Sequence, residues 1–106
     1  MTVLLVWTLD VDRTRRDEAV TLATERRRQV ERLGARSLRI FDAQHADQPA
    51  ERWIAIEEFD SDAALEAFIT AQNADPDAQA TIANTFTPIG PITVVQSDRI
   101  SELALT

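Results

Sequence analysis

Apolar residues alternate with each other's faces along two stretches of this chain and recur at helical spacing along two more. In the first stretch Val3, Leu5, Trp7 and Leu9 share one face of an extended segment, with Leu4 and Val6 on the other, which predicts a strand over Val3 to Leu9. In the other, Arg52 to Phe68, a strand runs directly into a helix. Ile54 and Ile56 lie on one strand face, and Trp53, Ala55, Glu57 and Phe59 on the opposite one. Both strands therefore need cover on both sides.

The helical periods are equally legible. Thr14-Arg15-Arg16-Asp17 fits a capping box and Gly34 follows Leu33 as a left-handed stop, which predicts a helix over Arg15 to Leu33. Its apolar stripe is Ala19, Leu22, Ala23, Val30 and Leu33, and Arg26 falls inside that stripe. Arg28 and Arg32 point to water, with Glu25 and Glu31 as partners. Asp60-Ser61-Asp62 opens a second helix with the inner stripe Leu65, Phe68, Ile69 and Gln72, ending between Gln72 and Asp75. Asp75-Pro76 has the residue types of an N-cap followed by proline at the first helical position, so a short further helix is predicted over Pro76 to about Asn84.

Ser37 to Asp42 predicts a second strand, joined by the polar connection Ala43 to Glu51 to the strand Trp53 to Phe59. Phe86 to Pro91 is loop, Ile92 to Gln96 a fourth strand, and Arg99 to Leu105 either extends it or crosses to a partner. The order is β-α-β-β-α-β, the ferredoxin-like split βαβ arrangement: an α+β fold with one four-stranded antiparallel sheet and two main helices on one face. Helices on one face leave the apolar residues of the other face uncovered. Burial of that open face against a second copy, a homodimer, is the expectation.

Length and charge narrow the partners. A chain of 106 residues predicts a single domain over 1–106, burying roughly 60 to 70% of the surface of its unfolded state. Eleven basic residues, all arginine, stand against eighteen acidic ones, and the net charge of −7 argues against nucleic acid and anionic membrane as partners. Without cysteine there is no disulfide, thiolate metal site or cysteine nucleophile. The apolar run Val3 to Val6 has no basic leader and is too short to cross a bilayer, so a cytoplasmic protein is expected.

The element order and the join Glu57-Glu58-Phe59-Asp60-Ser61-Asp62-Ala63-Ala64-Leu65-Glu66-Ala67-Phe68 resemble the dimeric α+β barrel superfamily, particularly its antibiotic biosynthesis monooxygenase-like group. The resemblance covers nearly the whole chain in element order. It implies two sheets packed into a barrel at a dimer interface, and in each subunit a ligand pocket between sheet and helices. Members that oxidise phenolic polyketides to quinones without a cofactor carry tryptophan, asparagine and tyrosine where this chain has Phe59, Ala55 and Leu65. Haem-degrading members place a histidine ligand in the region that here runs from Gln72 to Asn84, which contains none. No cofactor is expected.

On this reading the pocket wall on the third strand is Trp53, Ala55, Glu57 and Phe59, with Leu65, Phe68 and Gln72 from the second helix and Trp7 from the first strand. Glu57 is the candidate acid or base, because desolvation among apolar neighbours raises a carboxyl pKa toward the useful range. Arg26 is the candidate cation for Glu57 or a ligand oxyanion. Against this stand simpler roles: an ion pair or solvated strand end for Glu57, a guanidinium carried to water for Arg26, and core packing for Trp7, Trp53, Phe59, Leu65 and Phe68. Gln72 and Asn84 offer orienting hydrogen bonds, or only caps and solvated groups. His45, the one histidine, sits in a polar connection and is expected to be exposed and inactive.

The resulting expectation is a protein binding a small hydrophobic or aromatic ligand, and, if an enzyme, a cofactor-independent monooxygenase. A cyclase or isomerase using Glu57 as acid and base, or a non-catalytic binding or assembly module, are the other classes these residues allow.

Overall fold

The computed structural model describes residues 1–43, 50–87 and 89–105. In chain order the elements are β1 (Val3–Val11), a single 3-10 turn, α1 (Arg16–Arg32), β2 (Ser37–Asp42), β3 (Glu51–Phe59), α2 (Asp62–Ala74), α3 (Pro76–Thr85) and β4 (Ile92–Ser101). The strands form one sheet in the order β2-β3-β1-β4, with every neighbouring pair antiparallel. This is the ferredoxin-like α+β fold expected. His45 and most of the connection after Ala43 lie outside the described residues. Among the described residues no helix is long and apolar enough to cross a membrane.

β1 and β3 are central and pair through their full lengths, from Val3 opposite Phe59 to Val11 opposite Glu51. Of the two outer strands, β2 keeps its expected bounds and β4 runs on. β4 runs from Ile92 to Ser101, so Arg99 to Ser101 extend it, one of the two expectations for that segment; a register shift opposite Thr8 and Leu9 interrupts its pairing with β1, and its second half is polar and exposed. Backbone pairing needs no apolar side chains, so alternation underestimates such a strand.

The start of α1 differs from the expected capping box. Asp12 accepts from both the Thr14 backbone N–H (3.0 Å) and the Thr14 hydroxyl (2.7 Å), which diverts Thr14 into the 3-10 turn and leaves Arg15 at the N-cap without a side-chain cap. The C-terminal stop is as expected. Gly34 has φ +123°, and the Ala35 N–H returns to the Val30 carbonyl (2.9 Å), closing a Schellman motif. Ser61 caps α2 through the Ala64 N–H (3.1 Å), and Asp75 caps α3 through the Ala78 N–H (2.9 Å) with Pro76 behind it. Arg28 meets Glu25 (3.4 Å) as expected, but Arg32 reaches Asp75 (2.9 Å) rather than Glu31, tying the end of α1 to the α2–α3 junction.

The helices cover one sheet face. Ala19 and Val30 of α1, Leu65 and Phe68 of α2, and Ala78 of α3 are fully buried against it, together with Val3, Leu9, Val11, Leu38, Trp53, Ala55, Phe59 and Ile92. On the other face Leu4, Val6, Ile54 and Ile56 are only half-buried, and Phe41 and Ile100 are 42% and 47% exposed. Strand register makes these neighbours: Phe41 lies opposite Ile54, Val6 opposite Ile56, and Leu4 opposite Ile100. They form an apolar strip crossing all four strands.

Candidate functional site

The helix-covered face is not packed throughout. A cavity of about 320 Å³ lies between the centre of the sheet and the three helices. Trp7 and Leu9 from β1 and Ala55 and Glu57 from β3 make its floor, and Ala23 and Arg26 from α1 and Gln72 from α2 close it above. Trp7 pairs with Ala55 and Leu5 with Glu57, so the indole and the carboxyl are diagonal neighbours on one face. Ala55 is what leaves room: a methyl between Trp53 and Glu57 creates a hollow at mid-strand.

Three polar groups enter this apolar space. Glu57 is 6% exposed, and its Oε2 has no hydrogen-bond partner among the described residues. The same is true of Arg26 Nη1 and of the Trp7 indole Nε1. Burial pushes the Glu57 carboxyl above the ordinary carboxylate range, while the Arg26 charge and the nearby Trp7 N–H pull it part of the way back. The Trp7 N–H thus feels the carboxylate without making a hydrogen bond of good geometry to it. Burial likewise lowers the Arg26 pKa, offset in part by Glu57. Arg26 is held by Gln72, its Nη2 donating to the Gln72 Oε1. Buried groups without partners are costly and rare, and three of them on residues that line one cavity single it out as the candidate site.

Trp7, Arg26, Ala55, Glu57 and Gln72 are therefore brought together around one space. Trp53 is not with them: it lines an adjoining cavity of about 260 Å³ between α1 and β2. Phe59, Leu65 and Phe68 line neither, being 0%, 1% and 2% exposed in the core, where the Phe59 and Phe68 rings meet at 5.0 Å and 50°. Asn84 is exposed. A full-width strand packed by α2 consumes these aromatics before any pocket can use them.

The sequence reading missed the third wall. Ile82, Thr85 and Phe86, at and just beyond the end of α3, close the cavity together with Ile92 and Val94 of β4. The Ile82–Phe86 spacing of four residues was the available signal. α3 is fastened to α1 by a buried polar ladder: Gln29 Nε2 donates to Thr81 Oγ1 (2.7 Å) and the Asp77 carbonyl (3.3 Å), and Thr85 Oγ1 to the Thr81 carbonyl (2.6 Å). Among the described residues no group of three or more His, Cys, Asp or Glu side chains is placed to hold a metal ion.

No family model matches the sequence, and no curated protein does. Solved structures share the fold. A Chloroflexus aurantiacus protein provisionally named an antibiotic biosynthesis monooxygenase superposes over 100% of this chain and 97% of its own, with a TM-score of 0.63 and 19% identity. A Bordetella bronchiseptica protein with the same provisional name covers 97% and 98%, at a TM-score of 0.66 and 11% identity. A dimeric ferredoxin-like protein from an uncultured marine organism covers 99% and 98%, at 0.61 and 12%. The match spans nearly the whole of each chain, so the fold is that of these ferredoxin-like proteins.

Proposed function

We propose that this chain binds a small, largely apolar aromatic metabolite with one oxygen function, and oxidises it in the manner of a cofactor-independent monooxygenase. The observation that carries the reading is that three residues lining one apolar cavity each keep a buried polar atom without a partner among the described residues: Trp7 Nε1, Arg26 Nη1 and Glu57 Oε2. Two donors suit a phenolate or enolate oxygen, and one carboxyl suits removal of the proton that generates it. The elevated pKa of Glu57 makes it a stronger base once ionised. The substrate carbanion then supplies the electrons to dioxygen. A ring methylene and O₂ become a carbonyl and water, with one oxygen atom retained and the other leaving with the two methylene hydrogens. Excluding water from the apolar walls protects the anion until O₂ adds.

The active unit in this proposal is a cytoplasmic homodimer closed through the open sheet face. Its support is the apolar strip of Leu4, Val6, Ile54, Ile56, Phe41 and Ile100, together with the dimeric relative of the same fold. A second reading, a binding module without turnover, is favoured by Ala55, Phe59 and Leu65, which differ from the residues of quinone-forming barrels. Oxygen uptake with anthrone separates the two. The proposal expects uptake that Glu57→Gln abolishes while anthrone binding persists; binding without uptake in the wild type establishes the module, and no binding removes both. Native mass spectrometry reads the subunit count and any retained ligand in the same preparation.

A further inference from the structure

The two cavities share a wall. Ala23, Leu38 and Ile40 line both the space that holds Arg26 and Glu57 and the one between α1 and β2. On α1 the inner cavity takes Ala23 and Arg26, and the outer one takes Arg16, Val20, Ala23, Thr24 and Arg27, so the cavities lie along the two flanks of the helix and meet beneath Ala23. Exposure supports this geometry. Ala19 and Val30, on the same stripe, are 0% exposed, whereas Ala23 between them is only partly buried although it faces the sheet. A methyl group at this position fails to fill the gap between helix and strand.

We propose that the two cavities form one channel under α1 with Ala23 as its throat, and that the ligand is elongated: an aromatic head at Arg26 and Glu57, with an aliphatic tail passing Ala23 into the outer space. The tail would lie along Val20, Leu38, Ile40 and Trp53, and a polar tail end would meet Arg16, Arg27, Thr24 and Asp42 at the rim. Arg16 and Arg27 already have acidic neighbours, Glu51 at 3.0 Å and Glu31 at 4.0 Å, so the rim suits a neutral polar end better than a strong anion. The proposal rests on the small-molecule reading of the inner cavity and adds the shape of the substrate. Ala23 is then the residue that sets chain length, since a larger side chain there would obstruct the passage between the two cavities.

The test is a series of 4-alkylphenols, ethyl to hexyl, titrated against the wild-type protein and Ala23→Phe. In the wild type each added methylene should tighten binding roughly fourfold, giving about a 250-fold preference for the hexyl over the ethyl compound. In Ala23→Phe that ratio should collapse toward one. Should Ala23→Phe not fold, alanine-methyl NMR of the wild type decides: the Ala23 methyl signal, assigned from Ala23→Ser, should move with 4-hexylphenol and stay in place with 4-ethylphenol. A ratio that survives in Ala23→Phe, or an Ala23 signal indifferent to the long tail, overturns the channel. Binding of 4-ethylphenol that Arg26→Met weakens, without any tail effect, leaves the inner site and removes only the channel. Failure of every alkylphenol to bind the wild type removes the inner site and the channel together.

Discussion

Arg26 on α1 is held by Gln72 on α2, not by Glu57 beneath it. The distinction matters chemically. A carboxylate partner would neutralise the guanidinium, whereas a neutral amide fixes it in place and leaves its charge and its Nη1 for something else. The same bond ties two helices together across the roof of the cavity.

Gln72→Leu should therefore weaken binding of a phenolate-type ligand by about tenfold or more, because a hydrogen bond to a charged group is worth about 1.5 to 3 kcal/mol and the freed guanidinium can turn to water. Titration of 4-ethylphenol as a function of pH checks it. The loss should be larger where the phenol is ionised, and an equal loss at all pH values would mean that Gln72 only supports packing.

Glu57 makes stability depend on pH in a defined sense. Its folded pKa is raised above the ordinary 4.5, so the folded state holds the proton more tightly than the unfolded one. Wild-type stability contributed by this group is then present below 4.5 and is lost as pH rises through the folded value. Glu57→Gln mimics the neutral acid and escapes the loss. The variant should match the wild type near pH 4 and melt at a higher temperature than the wild type at pH 8, where Glu57 carries its buried charge. Parallel melting curves across the whole range would show that Glu57 is not desolvated.

Gly90 closes the turn after α3. A Cβ there would stand 2.3 Å from the Thr85 carbonyl oxygen and 2.9 Å from its carbon, both backbone atoms that cannot swing aside. Gly90→Ala should cost about 1 to 3 kcal/mol in urea unfolding and shift the α3 wall of the cavity. Gly34→Ala meets nothing within 4 Å, so its cost comes from φ +123° alone and should be nearer 1 kcal/mol.

The sheet face opposite the helices is tested by Val6→Asp and Ile54→Asp. Each places a charge in the apolar strip without touching the helix-side core. Sedimentation should show a dimer for the wild type and a monomer of retained helix content for both variants. A wild-type monomer would remove the interface, and dimeric aspartate variants would move it elsewhere.

Phe68→Ala separates core from pocket. Its ring packs on Phe59 and lines neither of the two cavities, so truncation should cost about 3 to 5 kcal/mol while binding by the surviving folded protein changes little. A selective loss of ligand affinity would return Phe68 to the site.

Much of this molecule was legible in one dimension. Element order, the two central strands, a cap within Asp60-Ser61-Asp62, Asp75 as a cap, Gly34 as a stop and Arg26 on an apolar stripe all follow from rules that act within four or five residues. The local rules failed where two candidates competed for one group. Thr14 had the right spacing for a capping box, but Asp12 lay closer and took its hydroxyl and N–H together. Arg32 had Glu31 beside it in sequence, and Asp75 on another element offered the better approach.

Strand pattern and helix period, read from residue order alone, determined which side chains face inward, because those periods are properties of the backbone. They could not decide which inward side chains meet one another or meet empty space. Trp7, Arg26, Glu57 and Gln72 converge, while Phe59, Leu65 and Phe68 pack solid, because strand register, the crossing of three helices and the small volumes of Ala23 and Ala55 together determine where the interior fails to fill. A cavity is a difference between volumes contributed by distant segments, and only the folded chain brings those segments together.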